Sequence, residues 1–156
     1  MQCVQWIPAP VAQRRELHDF GPLSYMTEIN SKVWEALADA AWAVREHSRV
    51  HGKTRVGAAV LSEKGNIFSG CNIEHIFRSH DVHAEVNALT TMAAAGEGPA
   101  IGILIAAERN RFTPCGGCLD WIFELGGSET QVAFQGAPGG PLLVLRADEL
   151  MPHYPS

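Results

Sequence analysis

Hydrophobic side chains recur at three- and four-residue steps from residue 29 to residue 44. This spacing places them on one face of an amphipathic helix. Thr27 is a candidate N-cap, because its hydroxyl can accept a hydrogen bond from a backbone amide of the first turn. The pattern predicts a helix from Thr27 to about His47, with a buried face made of Ile29, Val33, Leu37, Ala40, Ala41 and Val44.

Short apolar runs separated by turn-forming residues follow this helix. Val56–Leu61 and Ile67–Gly70 are typical of two strands joined by a polar turn at 63–66. Ala100–Ala107 is an unbroken apolar run of strand length, which indicates a central strand covered on both faces. Two further short strands are predicted, at Gln131–Gln135 and Leu142–Leu145.

Helices are predicted between these strands. His83–Ala94 is rich in Ala, Leu and Met and ends at Gly96, residues 115–125 are closed by two glycines, and Ala147–Leu150 is typical of a helical turn. The order α-β-β-α-β-α-β-β predicts an α/β fold, a three-layer α-β-α arrangement around a mixed sheet of about five strands. Residues 1–26 carry three prolines and little periodicity, so we interpret them as an irregular N-terminal arm before a single domain at 27–156.

Composition fits one soluble globular domain: 156 residues, of which 46% are hydrophobic and 19% charged. No apolar run reaches the roughly 18 residues that span a bilayer, and the N-terminus lacks the pattern of a secretory signal. We therefore expect a cytoplasmic protein without a membrane partner. In that compartment the four cysteines are better explained by metal binding or catalysis than by disulfides.

The formal net charge is −5, from 12 Lys and Arg against 17 Asp and Glu. A binder of nucleic acid polymers normally gathers an excess of basic residues on one face. Here the nearest approach to a cluster is Arg45, Arg49, Lys53 and Arg55, which we interpret as a solvated helix end and loop. We therefore expect a small-molecule substrate.

Two motifs carry candidate chemistry, each at the start of a predicted helix: His83–Ala84–Glu85, and a Cys-x-x-Cys pair formed by Cys115 and Cys118. At a helix N-terminus both sulfurs can reach one ion, and the helix dipole favours the thiolate. Alone, such a pair could equally be a redox pair or chance. A catalytic zinc keeps three protein ligands and one water, and His83 supplies a third ligand.

Glu85 stands two residues after His83 and can lie beside the open coordination position without being a ligand. Zinc lowers the pKa of bound water towards neutrality. A neighbouring carboxylate can take a proton from that water and deliver it to a ring nitrogen and then to a departing amine. The residues thus indicate hydrolytic removal of an amino group from a heterocycle, with Glu85 as the catalytic proton carrier.

These motifs resemble the cytidine deaminase superfamily, in which His/Cys-Ala-Glu is followed about thirty residues later by Pro-Cys-x-x-Cys. The likeness extends from about Val33 to Tyr154 and includes Val56–Ala59 and Gly70–Glu74. The resemblance implies a cytidine-deaminase-like fold, a bound Zn²⁺ and a homodimer or homotetramer whose sites are completed by neighbouring chains.

The resemblance also implies substrate contacts. Asn72 and Glu74 match the residues that bind the ribose hydroxyls, and Ala84 is counted with them as substrate-binding. Tyr154 matches a position where the family places an aromatic ring over the base, and Phe77 is a second candidate for stacking. Of the histidines outside the metal motif, His75 and His80, which lie in the loop before it, are candidates for touching the substrate.

Two departures from the family pattern are visible. Many short family members use three cysteines and carry an Arg directly after the catalytic Glu, whereas here two thiolates balance the charge of Zn²⁺ and Val86 follows Glu85. In addition, Thr54 and Arg55 replace the usual aromatic-Pro pair before Val56, which leaves the identity of the base open. Thr54 is retained as a substrate-binding candidate at that position.

These residues leave three functions to distinguish. The leading one is deamination by water of cytidine or deoxycytidine in pyrimidine salvage. The second is deamination of another aminated heterocycle, such as an antibiotic of the blasticidin S type or a free aminopyrimidine or purine, which Thr54 and Arg55 favour. The third is a structural zinc or RNA-binding module, which the intact Glu85, the open fourth position and the net charge oppose.

Overall fold

The structure, a computed structural model, describes residues 29–110 and 113–154. Its helices and strands alternate in the order that the sequence predicts. The structure adds one element that the sequence did not predict, a single turn of 3-10 helix at Arg78–His80 in the loop before the second helix. The elements are α1 Ser31–Arg45, β1 Gly57–Ser62, β2 Ile67–Cys71, α2 Ala84–Ala94, β3 Ala100–Ala106, α3 Gly116–Gly126, β4 Gln131–Gln135, β5 Leu142–Arg146 and α4 Ala147–Leu150.

The strands form one mixed sheet of five in the order β2-β1-β3-β4-β5. Strands β3 and β4 are parallel, and the other three pairs are antiparallel. The apolar run at Ala100–Ala106 is the central strand, and six of its seven residues are buried. The predicted α/β class and the mixed five-stranded sheet are confirmed.

Two apolar cores lie on opposite faces of this sheet. On one face, Leu37 and Ala41 of α1 pack with Leu104 of β3, and all three are fully buried. On the other face, side chains of α2 and α3, among them Met92 and Ile122, pack against the remaining residues of the same strands. The molecule therefore has the predicted three layers.

Glycines bring the two main helices close to the sheet. A Cβ atom at Gly57 of β1 would overlap the backbone of Ala41 in α1. One at Gly70 of β2 would overlap the backbone nitrogen of Ala88 in α2. Asn87 adds a hydrogen bond from its amide to the carbonyl oxygen of Cys71 at 2.9 Å. These contacts fix the start of α2 beside the end of β2.

The beginning of α1 differs from the prediction. The helix begins at Ser31, and its N-cap is Asn30, whose side-chain oxygen accepts a hydrogen bond from the amide of Val33 at 3.1 Å. Ile29 continues the apolar period but precedes the helix, packing on the α1 core from non-helical backbone. Thr27, the predicted N-cap, and the predicted arm at 1–26 lie outside the described residues.

Among the helices of the described residues, none is both long and apolar enough to cross a membrane.

Candidate active site

Two helix N-termini meet at one edge of the sheet, and each presents a metal-binding side chain. His83 is the N-cap of α2 and Cys115 the N-cap of α3, both with extended backbone. Cys118, in the first turn of α3, is buried, whereas His83 and Cys115 are exposed. The cluster is thus anchored in the core and open on one side.

The three potential ligand atoms are already gathered. Nδ1 of His83 lies 3.2 Å from Sγ of Cys118 and 3.4 Å from Sγ of Cys115, and the two sulfurs are 3.5 Å apart. In a tetrahedral zinc site, bond lengths of about 2.0 Å to nitrogen and 2.3 Å to sulfur separate the ligands by about 3.5–3.8 Å. The observed spacing fits one ion after a small expansion.

The donor set also fits a cation chemically. Burial, together with the neighbouring carboxyl of Glu85 and the sulfur of Cys115, raises the pKa of the Cys118 thiol far above its ordinary value. A thiol in such surroundings ionises when a metal binds it, because the cation compensates the buried charge. The N-terminal dipoles of α2 and α3 favour the same ionised form.

Glu85 lies beside this cluster, in the first turn of α2. Glu85 is only 3% exposed, and its carboxyl group hydrogen-bonds with Cys118. Burial raises the pKa of Glu85, while a backbone hydrogen bond and the charge of His83 act in the opposite direction. A buried carboxyl group next to potential metal ligands can hold and return a proton, which is the role predicted for Glu85.

Asn72 follows the last residue of β2, and its side chain hydrogen-bonds to the segment before β1. Its amide oxygen accepts from the backbone of Val56 at 2.9 Å, and its amide nitrogen donates to the carbonyl oxygen of Thr54 at 3.0 Å. Asn72 therefore shapes the segment before β1. Contact with a sugar stays a prediction that needs these bonds to be shared or exchanged.

Glu74 is also engaged. Its carboxylate accepts from the backbone amides of His51 and Gly52, the latter at 2.8 Å, and pairs with the guanidinium of Arg78 at 3.0 Å. The hydrogen bond with Arg78 is the largest cause that lowers the pKa of Glu74, to about 2. Arg78 in turn contacts Asp81 at 2.9 Å. Ribose binding by Glu74 stays a prediction and requires a partner to move.

The side chain of Thr54 contacts a cationic residue that the sequence did not indicate. Arg109, in the loop after β3, donates from Nη2 to the hydroxyl oxygen of Thr54 at 2.8 Å. Residue 54 is where the family pattern carries an aromatic ring. The structure thus brings a guanidinium to that position.

The other predicted contacts fall in different places. Tyr154 stacks on Phe123 with ring centroids 4.1 Å apart and donates to Asp120 at 2.6 Å, so its side chain is occupied by α3. Ala84 is 1% exposed and belongs to the core, so only its backbone can meet a substrate. Phe77 is exposed and contacts the rings of His75 and His80.

Sequence reasoning missed four residues that shape the site: Asn87, Arg78, Asp81 and Arg109. Arg78 lies four residues after Glu74, and Asp81 lies three residues after Arg78, so charge pairing at these spacings was a usable signal. Arg109 follows a buried strand at the edge where the motifs meet. No local pattern connects it with Thr54, which is 55 residues away.

Comparisons with known proteins agree with this geometry. Residues 31–134 match the family model for the cytidine and deoxycytidylate deaminase zinc-binding region. A probable cytidine deaminase of Dictyostelium discoideum is 33% identical over 104 residues, covering 65% of this chain and 71% of the relative. A cytidine deaminase of Halalkalibacterium halodurans is 30% identical over 120 residues, covering 76% and 90% of the two chains.

Solved structures share the fold. The cytidine deaminase from Burkholderia pseudomallei has a TM-score of 0.71 at 30% identity and covers 80% of this chain and 98% of its own. The cytidine deaminase from Mycobacterium leprae has a TM-score of 0.69 at 26% identity, with coverages of 81% and 100%. The family match spans both motifs, strands β1 to β3 and most of β4. The chain therefore belongs to the cytidine and deoxycytidylate deaminase zinc-binding family.

Proposed function

We propose that this chain is a zinc-dependent hydrolase that converts cytidine or deoxycytidine, with water, to the uracil nucleoside and ammonia. The observation that carries the proposal is the placement of a buried carboxyl, Glu85, against a three-ligand cluster that is exposed on one side. Curated relatives named cytidine deaminase support the choice of a cytosine base.

In the proposed mechanism His83, Cys115 and Cys118 hold Zn²⁺. When bound, the ion would supply Lewis acidity and lower the pKa of a water beside Glu85 towards neutrality. The carboxylate of Glu85 accepts a proton from the attacking water and transfers it to the ring nitrogen beside the amino-bearing carbon. It then takes the remaining proton of the hydroxyl now on that carbon and delivers it to the amine, so that a carbonyl forms as the carbon–nitrogen bond breaks and ammonia leaves. Burial of Glu85 excludes bulk water from this transfer and favours the protonated carboxyl.

The sugar is assigned to the corner where Asn72, Glu74 and Thr54 lie. An amide and a carboxylate can donate to and accept from a vicinal diol. The hydrogen bonds that these groups make within the chain mean that substrate hydroxyls would replace contacts from Thr54 or Arg78. Such an exchange favours substrates whose sugar hydroxyls make hydrogen bonds equivalent to those that are lost. Tyr154 and the backbone of Ala84 are retained as secondary candidates.

A second deaminase function has one observation in its favour. The residue before Arg55 is Thr54, held by Arg109, instead of an aromatic ring. A ring stacked on a base contributes on the order of 1–3 kcal/mol, so its replacement alters which heterocycle binds. Deamination of a blasticidin S-type antibiotic, or of a free aminopyrimidine or purine, is therefore the alternative. A structural zinc module is opposed by the buried Glu85 and the exposed side of the cluster.

Ammonia release from a panel of substrates tests the proposal. The zinc-loaded protein is incubated with cytidine, deoxycytidine, cytosine, adenosine, guanine and blasticidin S, and the organic products are identified by mass. We expect uridine and deoxyuridine, each formed in equal amount with ammonia. Activity confined to compounds other than the two cytosine nucleosides would overturn the choice of substrate.

We also propose that the enzyme works in the cytoplasm. Cys71, Cys115 and Cys118 are all unpaired in the described residues, and the proposed metal site needs its two thiols reduced. Cell fractionation tests this, and recovery of the protein from an oxidising compartment would contradict it.

A further inference from the structure

A cavity of about 770 Å³ lies on the side of the sheet that α1 covers, between this helix and the loop that joins β4 to β5. The metal cluster belongs to the N-termini of α2 and α3, which pack on the opposite face of the sheet. The sheet therefore separates the cavity from the candidate active site. The volume of the cavity lies in the range of pockets that bind small organic molecules.

Indole rings and carboxylates line this cavity together. Four residues of α1 border it with such side chains: Trp34, Glu35, Asp39 and Trp42. Glu35 and Asp39 are one helical turn apart, so their side chains are neighbours on the helix surface. Both acids are exposed, and within 29–110 and 113–154 neither pairs with a basic side chain. No Lys or Arg of the described residues lines the cavity, so its lining is negatively charged.

Hydrogen bonds hold one wall of the cavity in place. Nε1 of Trp42 donates to the side-chain oxygen of Gln135, and the side-chain nitrogen of Gln135 donates to the carbonyl oxygen of Gly140 at 2.8 Å. Gln135, the last residue of β4, is only 6% exposed. These bonds join α1, the sheet and the loop before β5, so the indole of Trp42 is oriented before any ligand binds.

The ring of Trp42 already contacts one guanidinium. The guanidinium carbon of Arg45 lies 5.2 Å from the centroid of this ring, within the distance of a cation–π contact. Arg45 also pairs with Glu46 at 2.9 Å and with Glu108 at 3.0 Å. Because these two carboxylates compensate the charge of Arg45, it does not oppose a second cation nearby. The chain itself thus shows which kind of group this ring accepts.

A guanidinium is planar and weakly hydrated, it stacks on aromatic rings, and its fork of N–H donors matches the oxygens of a carboxylate. We propose that the cavity is a second binding site, whose ligand is a small organic cation with a guanidinium on an alkyl stem. The guanidinium binds Glu35 and Asp39 beside the ring of Trp42, and the stem packs on Leu142. This ligand is distinct from the substrate of the proposed deamination, because the sheet lies between the two sites.

Calorimetric titration of the zinc-loaded protein with butylguanidinium and with butylurea tests the proposal. The two compounds have nearly the same shape, and only the first is charged. We expect butylguanidinium to bind about tenfold more tightly than butylurea, through a cation–π contact and exposed ion pairs. An excess of uridine, the proposed product at the metal site, should leave this ratio unchanged.

Variants show whether the two acids are the cause. Glu35→Gln combined with Asp39→Asn should weaken the binding of butylguanidinium about threefold to tenfold and leave that of butylurea unaltered. The matched control is Glu63→Gln combined with Glu124→Gln, which removes two exposed carboxylates from other surfaces. Its affinity for butylguanidinium should equal that of the wild type.

Nuclear magnetic resonance of the indole N–H groups locates the bound cation. On addition of butylguanidinium the signals of Trp34 and Trp42 should shift, whereas that of Trp121, which lies on α3, should not. Replacement of each Trp by Phe in turn assigns the signals.

Four results would overturn this second site. They are no binding of butylguanidinium at millimolar concentration, equal affinity for the two compounds, displacement by uridine, and full affinity in the variant without the two acids. Arg14 and Arg15 are a source of guanidinium within the chain itself. If Arg14→Gln combined with Arg15→Gln raises the affinity for butylguanidinium about tenfold, these side chains fill the cavity and a free ligand is excluded.

Discussion

At the scale of single residues, Glu74 has a predicted role in sugar binding and an observed role in the structure of the free protein. The sequence alone could not distinguish the two roles. The family pattern assigns it to the sugar, whereas in the structure Arg78 and two backbone amides hold its carboxylate. These contacts join the segment before β1 to the loop before α2. Glu74 therefore holds these two segments together in the free protein, whatever it binds in the complex.

The lowered pKa of Glu74 predicts a pH-dependent stability. Its folded-state pKa is about 2 against an ordinary 4.5, so the unfolded chain binds the proton more readily. The stability that Glu74 contributes is thus fully present above about pH 4.5 and is lost as the pH falls towards 2. Denaturant titrations across this range should show a shallower acid loss of unfolding free energy in Glu74→Gln than in the wild type.

The control for this prediction is Glu63→Gln, which removes an exposed carboxylate from the turn between β1 and β2. Loss of metal at acid pH is common to all three proteins and cancels in the comparison. If Glu74→Gln follows the wild-type pH profile as closely as Glu63→Gln does, the pairing of Glu74 with Arg78 contributes nothing to folding.

The residues of the metal cluster were predictable because their chemistry depends on local spacing. His83 and Glu85 are two residues apart, and Cys115 and Cys118 share the first turn of one helix. The contact between Thr54 and Arg109 was not predictable, since it joins residues 55 positions apart through the packing of β1 on β3. The contacts of Tyr154 with Phe123 and Asp120 of α3 likewise result from tertiary packing.

At the scale of elements, the site depends on how α2 is seated on β2. Gly70 lets the helix backbone approach the strand, and Asn87 hydrogen-bonds to the next strand residue. His83 and Glu85 are carried by the first turn of this helix. A displacement of α2 therefore moves a potential ligand and the proton carrier together, away from the two cysteines on α3.

We predict that Gly70→Ala destabilises the protein by about 1–3 kcal/mol, the usual cost of forcing an extra methyl group into a packed interior. The helix backbone, and not a flexible side chain, would have to move, so zinc affinity should fall as well. Chemical denaturation and a competitive zinc titration measure the two effects. Ser69→Ala, at the neighbouring half-buried position, adds no atoms and should change neither quantity. Unaltered zinc affinity in Gly70→Ala would contradict this role for the contact.

Elements were predicted well where hydrophobic periodicity and turn residues coincide. β4 at Gln131–Gln135 and α4 at Ala147–Leu150 have the predicted bounds. The start of α1 was wrong because Ile29 is apolar for a tertiary reason, packing on the core from outside the helix. A hydrophobic pattern indicates which residues are buried, and buried residues also occur just before the first residue of a helix.

At the scale of the whole molecule, exposed apolar side chains lie close to the candidate site. In the loop between β2 and α2, Ile76 is 75% exposed and Phe77 is 65% exposed. Ile73 and Val82, at its two ends, are each 38% exposed. Apolar groups gathered in this way on the surface of a domain mark an interaction surface. We propose that they contact other copies of the chain in a homodimer or homotetramer.

Light scattering coupled to size-exclusion chromatography tests this assembly. We predict a mass of two or four times the 16.9 kDa of one chain. Ile76→Asp should lower that mass, because a charge buried at an interface without a partner is costly. Lys64→Asp, at the exposed turn between β1 and β2, introduces an acid elsewhere and should leave it unchanged. A wild-type protein that stays monomeric at micromolar concentration would exclude the assembly.

We propose that this fold carries out hydrolytic deamination with Glu85 as proton carrier at a zinc held by His83, Cys115 and Cys118. The most direct measurement is ammonia release from cytidine by wild type and Glu85→Gln, with the zinc content of each determined by elemental analysis. We predict about one zinc per chain in both proteins and a loss of turnover in the variant of about 10²–10⁴-fold. A zinc-loaded Glu85→Gln protein that deaminates cytidine at the wild-type rate would contradict it.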